Sequence, residues 1–350
     1  MDQVTNPYRG HGLPELRPKL GADAKSVAAL LAQCPAHQPT ALRDCPDLAA
    51  RAGVARLWVK DERSRMGLGS FKALGAAHAI ARDAAALGGE LAQALKGRTY
   101  VTASAGNHGL SVAAGARVFG AKAVVYLAMT VPEGFVHRLQ SMGAQVVRDG
   151  VDYEASMRAA SAAAEAQGWT LLSDGSWPGY EALPFRVMEG YRHLAVEIVD
   201  DFAQSGAALP SHVLLQAGVG GLAAAVAAEL RLSWGDAPEM IVVEPSAAPA
   251  LIESIRQGAV VETQGPVSAM GRLDCKTPSM LALADLARDA DRFITLSEED
   301  AAKGAAAVAA AGLASTPSGA AGIAALLAGG LGIGPDARVL TILSEGPEDV

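Results

Sequence analysis

Residues 212–223, HVLLQAGVGGLA, join a predicted strand to a predicted helix across a glycine-rich turn. The strand, His212 to Leu215, lacks polar alternation, as expected of a parallel strand that is buried on both faces. The helix, Gly221 to Leu232, is rich in alanine and begins directly after the glycines. This order of strand, turn and helix predicts one unit of an open α/β sheet.

The same order recurs along the chain, where apolar runs of strand length alternate with longer helical patterns. The predicted strands are Val54 to Val59, Tyr100 to Ala103, Ala123 to Leu127, Gln145 to Val147, Thr170 to Leu172, His212 to Leu215, Met240 to Val243, Arg292 to Thr295 and Val339 to Leu343. Predicted helices include Pro132 to Met142, Tyr153 to Gln167, Phe185 to Phe202 and Gly221 to Leu232. We therefore expect an α/β fold with open, doubly wound, mostly parallel sheets.

Two domains are predicted from this arrangement. Residues 81–175 contain a compact series of strands and helices and form the predicted small domain. The flanking segments, 1–80 and 176–350, form the predicted large domain. Since ligand sites favour domain interfaces and the carboxyl ends of parallel strands, we expect the active site in the cleft between the two domains.

The composition indicates a folded protein and disfavours polyanionic partners. Of 350 residues, 50% are hydrophobic, and 38 Gly and 18 Pro punctuate the chain, which excludes a disordered protein. The net charge of −8 is spread along the sequence without a basic cluster. Binding to nucleic acid or to an anionic membrane surface is therefore not expected.

The cysteines and the apolar segments favour a cytoplasmic location. Cys34, Cys45 and Cys275 lack C-x-x-C spacing, so neither a disulfide framework nor a structural metal site is predicted. The N-terminus lacks the pattern of a secretion signal. Residues 304–335 carry no charge, but the turn residues 315–319 divide them, which predicts two buried helices rather than a membrane span.

The first segment with a candidate chemical function is MGLGSFK, residues 66–72. The chain has eight lysines, and Lys72 lies among Phe71, Ala73 and Leu74. This apolar context is expected to lower the pKa of the amine and to make it nucleophilic. The alternative is a surface lysine that extends its charge into water.

The second segment is SAGNHG, residues 104–109, directly after a predicted strand and before a predicted helix. Free N–H groups at the helix start, with the Ser104 hydroxyl and the Asn107 amide, suit a carboxylate or a planar polar ring. The alternative is an ordinary turn with a capping serine. His108 is either an acid or base, or a hydrogen-bonded histidine at the start of the helix.

The third segment is QAGVGGLA, residues 216–223, where glycines and a helix N-terminus suit a phosphate. Its spacing also matches G-x-G-x-x-A, and Glu244 ends the next strand where a ribose hydroxyl is usually bound. A dinucleotide site is therefore a rival interpretation of this segment.

Two further polar residues follow predicted strands. Ser344, in LSEG (343–346), offers a hydroxyl that can bond a neutral pyridine nitrogen, or else a simple cap before a polar tail. Asp174, in SDGSWPGY (173–180), is a candidate base, with a local Asx-turn as the alternative.

Taken in order, SFK, SAGNHG, GVGG and LSEG resemble the pyridoxal-phosphate enzymes of the tryptophan-synthase beta superfamily, which have fold type II. A closer resemblance is to the diaminopropionate ammonia-lyase family, through KDERSRMGLGSFKALG (60–75), SDGSWPGYEALPFRVMEGY (173–191), QAGVGG (216–221) and SAMGRLDCKTPS (268–279). This resemblance implies that pyridoxal 5'-phosphate is the cofactor and that the large domain binds it.

The resemblance also assigns roles to individual residues. Lys72 would hold the cofactor covalently beside Phe71, Asn107 would contact the ring hydroxyl, and Ser344 would face the ring nitrogen. The phosphate would bind at Gly218, Val219, Gly220, Gly221 and Leu222. Lys72 and Asp174 would be catalytic, and Ser104, Ala105, Gly106 and His108 would bind the substrate.

Two features depart from the resembled families. The ammonia-lyase family usually has T-D-G-N-H-G, whose Asp serves the D-substrate, and Ala105 replaces that Asp here. The loop instead resembles the S-A-G-N-H of serine and threonine dehydratases. Those enzymes, however, typically carry GGGG and E-P-x-G-A segments, where this chain has GVGG and TPSGA (316–320).

The sequence therefore predicts a pyridoxal-phosphate-dependent β-elimination of a small L-amino acid such as 2,3-diaminopropionate, which gives pyruvate or another 2-oxo acid and ammonia. Serine- or threonine-type dehydration is the first alternative. A nicotinamide-dependent oxidoreductase that uses Gly218 and Glu244 is a remote one, and a catalytically silent binding protein is another. By resemblance, a homodimer is expected.

Overall fold

The computed structural model describes residues 1–20, 25–34, 36–104, 106–131 and 133–347, so Ala105 lies outside the described residues. The strands are β1 (Gln3–Thr5), β2 (Leu42–Asp44), β3 (Arg56–Asp61), β4 (Thr99–Ala103), β5 (Lys122–Leu127), β6 (Gln145–Arg148), β7 (Thr170–Leu171), β8 (His212–Gln216), β9 (Glu239–Pro245), β10 (Arg292–Leu296) and β11 (Arg338–Leu343).

The strands are separated mainly by α-helices. These are α1 (Lys25–Leu31), α2 (Pro46–Ala52), α3 (Lys72–Leu87), α4 (Asn107–Val118), α5 (Glu133–Ser141), α6 (Tyr153–Gln167), α7 (Ala182–Ser205), α8 (Gly221–Trp234), α9 (Ala250–Gln257), α10 (Met280–Asp289), α11 (Glu298–Ala310) and α12 (Ala321–Ala328). Two 3₁₀ segments, Glu62–Gly67 and Leu91–Gln93, complete the helices of the described chain.

The described residues form two separate sheets. The larger has seven strands in the order β1-β10-β9-β8-β11-β3-β2, and the smaller has four in the order β6-β5-β4-β7. All pairings are parallel except those of β1 with β10 and β2 with β3. The predicted α/β class with open, mostly parallel sheets is therefore confirmed.

The nine predicted strands are all present, and two further strands, β1 and β2, were not predicted. Each has three residues and lies antiparallel at an edge of the large sheet. Three residues are too few to show a hydrophobic pattern with a period of two. These strands form because they pair with a neighbouring strand, which their own sequences do not indicate.

The four strands of the small sheet all fall between Thr99 and Leu171, within the segment predicted as the small domain. The predicted boundary at residue 80 falls inside α3, which packs against both α4 and α7. The division into domains at 80/81 and 175/176 stays a prediction.

The alanine-rich helices occupy the most crowded positions. Residues Ala223 to Ala228 of α8 are buried, and this helix packs between α7 and α10. Small side chains allow the helix backbones to approach closely, which explains how a chain with 5% aromatic residues fills its core.

The uncharged segment 304–335 contains the end of α11, a turn and α12, so the two predicted helices are present, although α12 is buried and this part of α11 exposes one face. Ser297 caps α11, because its Oγ accepts a hydrogen bond of 3.1 Å from the Asp300 backbone N–H. No helix in the described part of the chain is long and apolar enough to cross a membrane.

Candidate active site

The predicted site residues meet at one cavity of about 340 Å³ that lies at the carboxyl ends of strands from both sheets. Those that line it are Phe71, Lys72, Ser104, Gly106, Asn107, His108, Asp174, Gly218, Val219, Gly220, Gly221, Leu222 and Ser344. Among the substrate-loop residues, Ala105 alone lies outside the described residues. Parallel strands from two sheets thus bring together segments that are far apart in sequence.

Lys72 is the first residue of α3, and its Nζ forms an ion pair with Asp174 Oδ2. The amine also lies 5.2 Å from the ring centroid of Phe71 and 5.5 Å from that of Tyr191. Burial acts to lower the pKa of Lys72, but the negative charge of Asp174 reverses this and raises the pKa above its ordinary value. The predicted depression of the Lys72 pKa is therefore wrong, because the sequence did not indicate the carboxylate beside it.

Asp174 follows β7 and is the partner that keeps Lys72 charged. Burial acts to raise the pKa of Asp174, but the Lys72 ammonium holds the pKa well below its usual range. The carboxylate is thus ionised, but the ammonium weakens it as a base, and its basicity rises when Lys72 loses that charge. Its side chain is 15% exposed and lines the cavity rather than the protein surface.

His108 is held at the start of α4. Its Nε2 lies 2.8 Å from the Leu172 carbonyl oxygen, which can only accept, so Nε2 carries the proton. Burial lowers the pKa of His108 and keeps the ring neutral. A neutral, hydrogen-bonded ring fits the second of the two predicted roles, a histidine that orders the start of the helix.

The loop before α4 is closely packed against the opposite wall of the cavity. The Gly106 N–H donates to Ser104 Oγ at 3.2 Å. A Cβ atom at Gly106 would lie 3.3 Å from Cδ of Arg272. Asn107 donates a hydrogen bond from Nδ2 to Glu345 Oε2, so the loop is tied to the end of β11.

The glycine-rich turn between β8 and α8 forms a close backbone cradle. A Cβ atom at Gly218 would lie 3.0 Å from Cys275 Sγ and 3.1 Å from the Arg272 carbonyl oxygen. Gly220 has φ +100, a conformation that residues with a side chain rarely adopt. The N–H groups in the first turn of α8 have no acceptors within the helix. Such groups suit an anionic ligand such as a phosphate.

Ser344 is fixed beside the Lys72 segment by its backbone. Its carbonyl oxygen accepts from the Phe71 N–H at 3.1 Å, and its N–H donates to the Gly319 carbonyl at 3.2 Å. The residue is buried and lines the cavity at the end of β11. Ser344 therefore lies on the same wall of the cavity as Phe71, the residue that precedes α3.

Several residues of the cavity were not predicted to be functional, among them Arg272, Cys275 and Glu345. Arg272 and Cys275 belong to a loop between α9 and α10, and neither is marked by a strand or helix boundary nearby. Burial raises the pKa of Cys275 to about 12, so its thiol stays protonated and is no nucleophile.

Glu244 lies away from the cavity and has a structural role. Its carboxylate accepts the backbone N–H groups of Leu251 and Ile252 at 2.7 and 2.8 Å, at the start of α9. Burial raises the pKa of Glu244 to about 8. The nicotinamide alternative thereby loses the acidic residue on which it depended.

Comparison with known proteins agrees with this geometry. The family described as pyridoxal-phosphate dependent enzymes matches residues 34–345. Diaminopropionate ammonia-lyase from Salmonella typhimurium is 33% identical over 304 residues, which cover 79% of this chain and 73% of that protein. L-threonine ammonia-lyase from Thermotoga maritima is 26% identical over 234 residues, 67% of this chain and 53% of that protein.

A solved structure extends the similarity to the whole fold. The structure is that of diaminopropionate ammonia lyase from Escherichia coli in complex with an aminoacrylate-PLP azomethine reaction intermediate. It superposes with a TM-score of 0.84 at 30% identity, and the match covers 99% of this chain and 93% of that one. With the family match over residues 34–345, it follows that this chain belongs to the pyridoxal-phosphate-dependent enzymes.

Proposed function

We propose that the protein catalyses the elimination of ammonia from a small β-substituted L-amino acid, with 2,3-diaminopropionate as the preferred substrate. With water, the reaction gives pyruvate and two molecules of ammonia. The observation that carries the proposal is the ion pair of Lys72 with Asp174, which faces the glycine cradle across one cavity. An amine and a carboxylate that share one cavity with a glycine-rich turn support the proposal.

The residues of the cavity fit pyridoxal phosphate. The N–H groups at the start of α8 suit the phosphate, and the absence of a side chain at Gly218 lets the loop with Arg272 and Cys275 pack against this turn. Lys72 would hold the cofactor, Asn107 its ring hydroxyl and Ser344 its ring nitrogen. When bound, pyridoxal phosphate supplies an electron sink that acidifies the Cα–H bond of an amino acid.

Residues of the cavity would bind the substrate and transfer protons. The loop at Ser104 and Gly106 would bind the substrate carboxylate through N–H groups at the start of α4 and so orient the Cα–H bond. Asp174, ionised beside Lys72, would accept the Cα proton, and the Lys72 amine would carry protons to the departing group. General acid–base assistance of this kind contributes roughly 10²- to 10⁴-fold.

Dehydration of a hydroxy amino acid is the second candidate. It is supported by the S-A-G-N-H sequence of residues 104–108 and by the similarity to L-threonine ammonia-lyase. Both reactions need the same lysine and differ in whether an amine or a hydroxyl leaves.

Oxo-acid formation from a panel of substrates tests the proposal. L-2,3-diaminopropionate is expected to react at least about tenfold faster than L-serine or L-threonine, and Lys72→Ala to form no product. Inert diaminopropionate beside rapid serine or threonine turnover would reverse the order of the two candidates. Borohydride treatment followed by mass spectrometry is expected to label Lys72, and a label on another lysine contradicts the assignment.

A homodimer and a cytoplasmic location complete the proposal. The dimer rests on the resemblance to the family, and its measurement is the mass in solution by analytical ultracentrifugation. The three cysteines, which are unpaired, suit a reducing compartment. A monomeric mass for the active enzyme would contradict the first of these proposals.

A further inference from the structure

We infer that Glu345 is a positioning residue that fixes the Asn107 amide for the cofactor. The inference rests on the proposed function, in which Asn107 contacts the cofactor ring. Glu345 follows β11, is 4% exposed and lines the cavity. A carboxylate at this depth needs polar partners, and its partners show what it holds in place.

The bond between Asn107 and Glu345 crosses the cavity. Asn107 begins α4, which follows a strand of the small sheet, whereas Glu345 follows the interior strand β11 of the large sheet. The two residues are 238 positions apart in the chain, and Asn107 Nδ2 donates to Glu345 Oε2. The Glu345 carboxylate on one side of the site therefore orients the Asn107 amide on the other side.

A carboxylate determines which way the amide is turned. Glu345 can only accept, so Nδ2 of Asn107 must face it, because the amide oxygen in that place would meet a second acceptor. One N–H and the amide oxygen of Asn107 then remain for a ligand in the cavity. A neutral partner able to donate and accept would allow either orientation of the amide.

Glu345 is itself held in one conformation. The Gly319 N–H donates to Thr316 Oγ1 at 3.0 Å, which leaves the hydroxyl proton of Thr316 to be donated to Glu345 Oε1. Ser315 Oγ donates to the Glu345 carbonyl oxygen at 2.6 Å. A Cβ atom at Gly319 would lie 2.8 Å from Cγ of Glu345, so the glycine provides the space that the side chain occupies.

Arg272 supports the charge of this carboxylate. Its Nε lies 3.6 Å from Glu345 Oε2, the same oxygen that accepts from Asn107. Both carboxylate oxygens thus have defined donors, Thr316 on one and Asn107 with Arg272 on the other. The Asn107 amide is therefore anchored to a fixed acceptor rather than to a mobile surface side chain.

A double-mutant cycle with cofactor binding as its readout tests the inference. Apoprotein is prepared for the native sequence, Glu345→Gln, Asn107→Ala and the double variant, and each is titrated with pyridoxal phosphate. Glu345→Gln is expected to weaken cofactor binding about tenfold in the native background, the size of one lost charge-assisted hydrogen bond, and less than about twofold when Asn107 is already alanine. It is also expected to shift the visible absorption maximum of the bound cofactor.

Two further variants make the result specific. Glu299→Gln makes the same change at an exposed glutamate of α11 and is expected to bind the cofactor like the native protein. Thr316→Val keeps the Glu345 carboxylate but removes the hydroxyl that fixes it, and is expected to weaken binding about threefold, again only with Asn107 present. This variant also serves if Glu345→Gln does not fold.

Equal losses in both backgrounds, or a Glu345→Gln protein with unchanged affinity and absorption, would overturn the inference. Its failure is distinguishable from that of the proposed function. If the native apoprotein binds no pyridoxal phosphate, both are wrong. If the native protein binds pyridoxal phosphate and is labelled at Lys72, and Glu345→Gln binds the cofactor equally well, only the role of Glu345 is wrong.

Discussion

The ion pair of Lys72 and Asp174 shows how two residues set each other's charge. Lys72 and Asp174 are in contact, and each shifts the pKa of the other toward its charged form against the effect of burial. An isolated lysine in this apolar setting would lose its proton more easily. Because Asp174 opposes this, the state of the amine depends on whether the carboxylate stays beside it.

Replacement of Asp174 by asparagine tests its role as a base. We expect kcat for the L-substrate to fall by about 10²- to 10⁴-fold, because an amide of the same size cannot accept the Cα proton. Cofactor binding, measured by its visible absorption, is expected to persist because Asp174 lies outside the glycine-rich turn between β8 and α8, which is proposed to bind the phosphate. Unchanged turnover of the L-substrate would show that another group is the base.

The residue at position 105 is expected to determine the choice of enantiomer. The resembled family has an aspartate there for the D-substrate, and this chain has Ala105 between two residues that line the cavity. We therefore expect the native enzyme to favour L-2,3-diaminopropionate. Ala105→Asp is expected to raise turnover of the D-enantiomer at least about tenfold, since it adds a base.

The measurement compares pyruvate formation from the two enantiomers in the native and variant proteins. Ala105→Asn is the matched control, because it has a similar size without the ionisable carboxyl. Equal gains in both variants would assign the effect to shape rather than to proton transfer.

At the scale of the elements, the turn between β8 and α8 is a closely packed part of the site. The space at Gly218 is closed by backbone atoms of Arg272 and Leu273 at 3.1 Å, and backbone cannot rotate away as a side chain can. We expect Gly218→Ala to weaken pyridoxal phosphate binding at least about tenfold, since either the turn or the loop must move.

Gly334→Ala is the control for this change. Gly334 precedes β11 and does not line the cavity, and a Cβ atom there would have no heavy atom within 4 Å. Its cofactor affinity, from the same titration, is expected to stay within about twofold of the native value. Equal losses in the two variants would contradict the role assigned to the cradle.

At the scale of the whole molecule, buried neutral histidines make stability depend on pH. His78 of α3 is 1% exposed, and burial with the nearby charges of Arg82 and Arg186 lowers its pKa to about 4. Between this value and the ordinary value of 6.5, the unfolded chain binds a proton that the folded chain does not. Stability is therefore lost as the pH falls from about 6.5 to about 4.

His78→Leu is expected to remove this contribution, because leucine has a similar volume and does not titrate. Neither ring nitrogen of His78 has a hydrogen-bond partner among the described residues, so the change breaks no hydrogen bond there. Urea unfolding at pH 7 and at pH 4.5 gives the comparison. From pH 7 to pH 4.5, the variant is expected to lose roughly 1–3 kcal/mol less free energy of unfolding than the native protein. An equal loss in the two proteins would contradict the role of His78.

Much of the fold could be predicted from local patterns. The bounds of α6 agree with the predicted Tyr153 to Gln167, and the glycine-rich turn lies between a strand and a helix as predicted. These features depend on neighbouring residues alone. The edge strands β1 and β2 could not be predicted, because their conformation is stabilised by partners almost 290 and about 15 residues away.

For the site, the sequence by itself determined the segments that line the cavity, because all but the Lys72 segment directly follow a strand, where parallel sheets place their ligands. Only the tertiary structure decided the charge of Lys72, the neutral state of His108 and the presence of Glu345 beside Asn107. Hydrogen bonds and ionic interactions act over a few ångströms in space. The residues that make them here are up to 238 positions apart, beyond the reach of any local pattern.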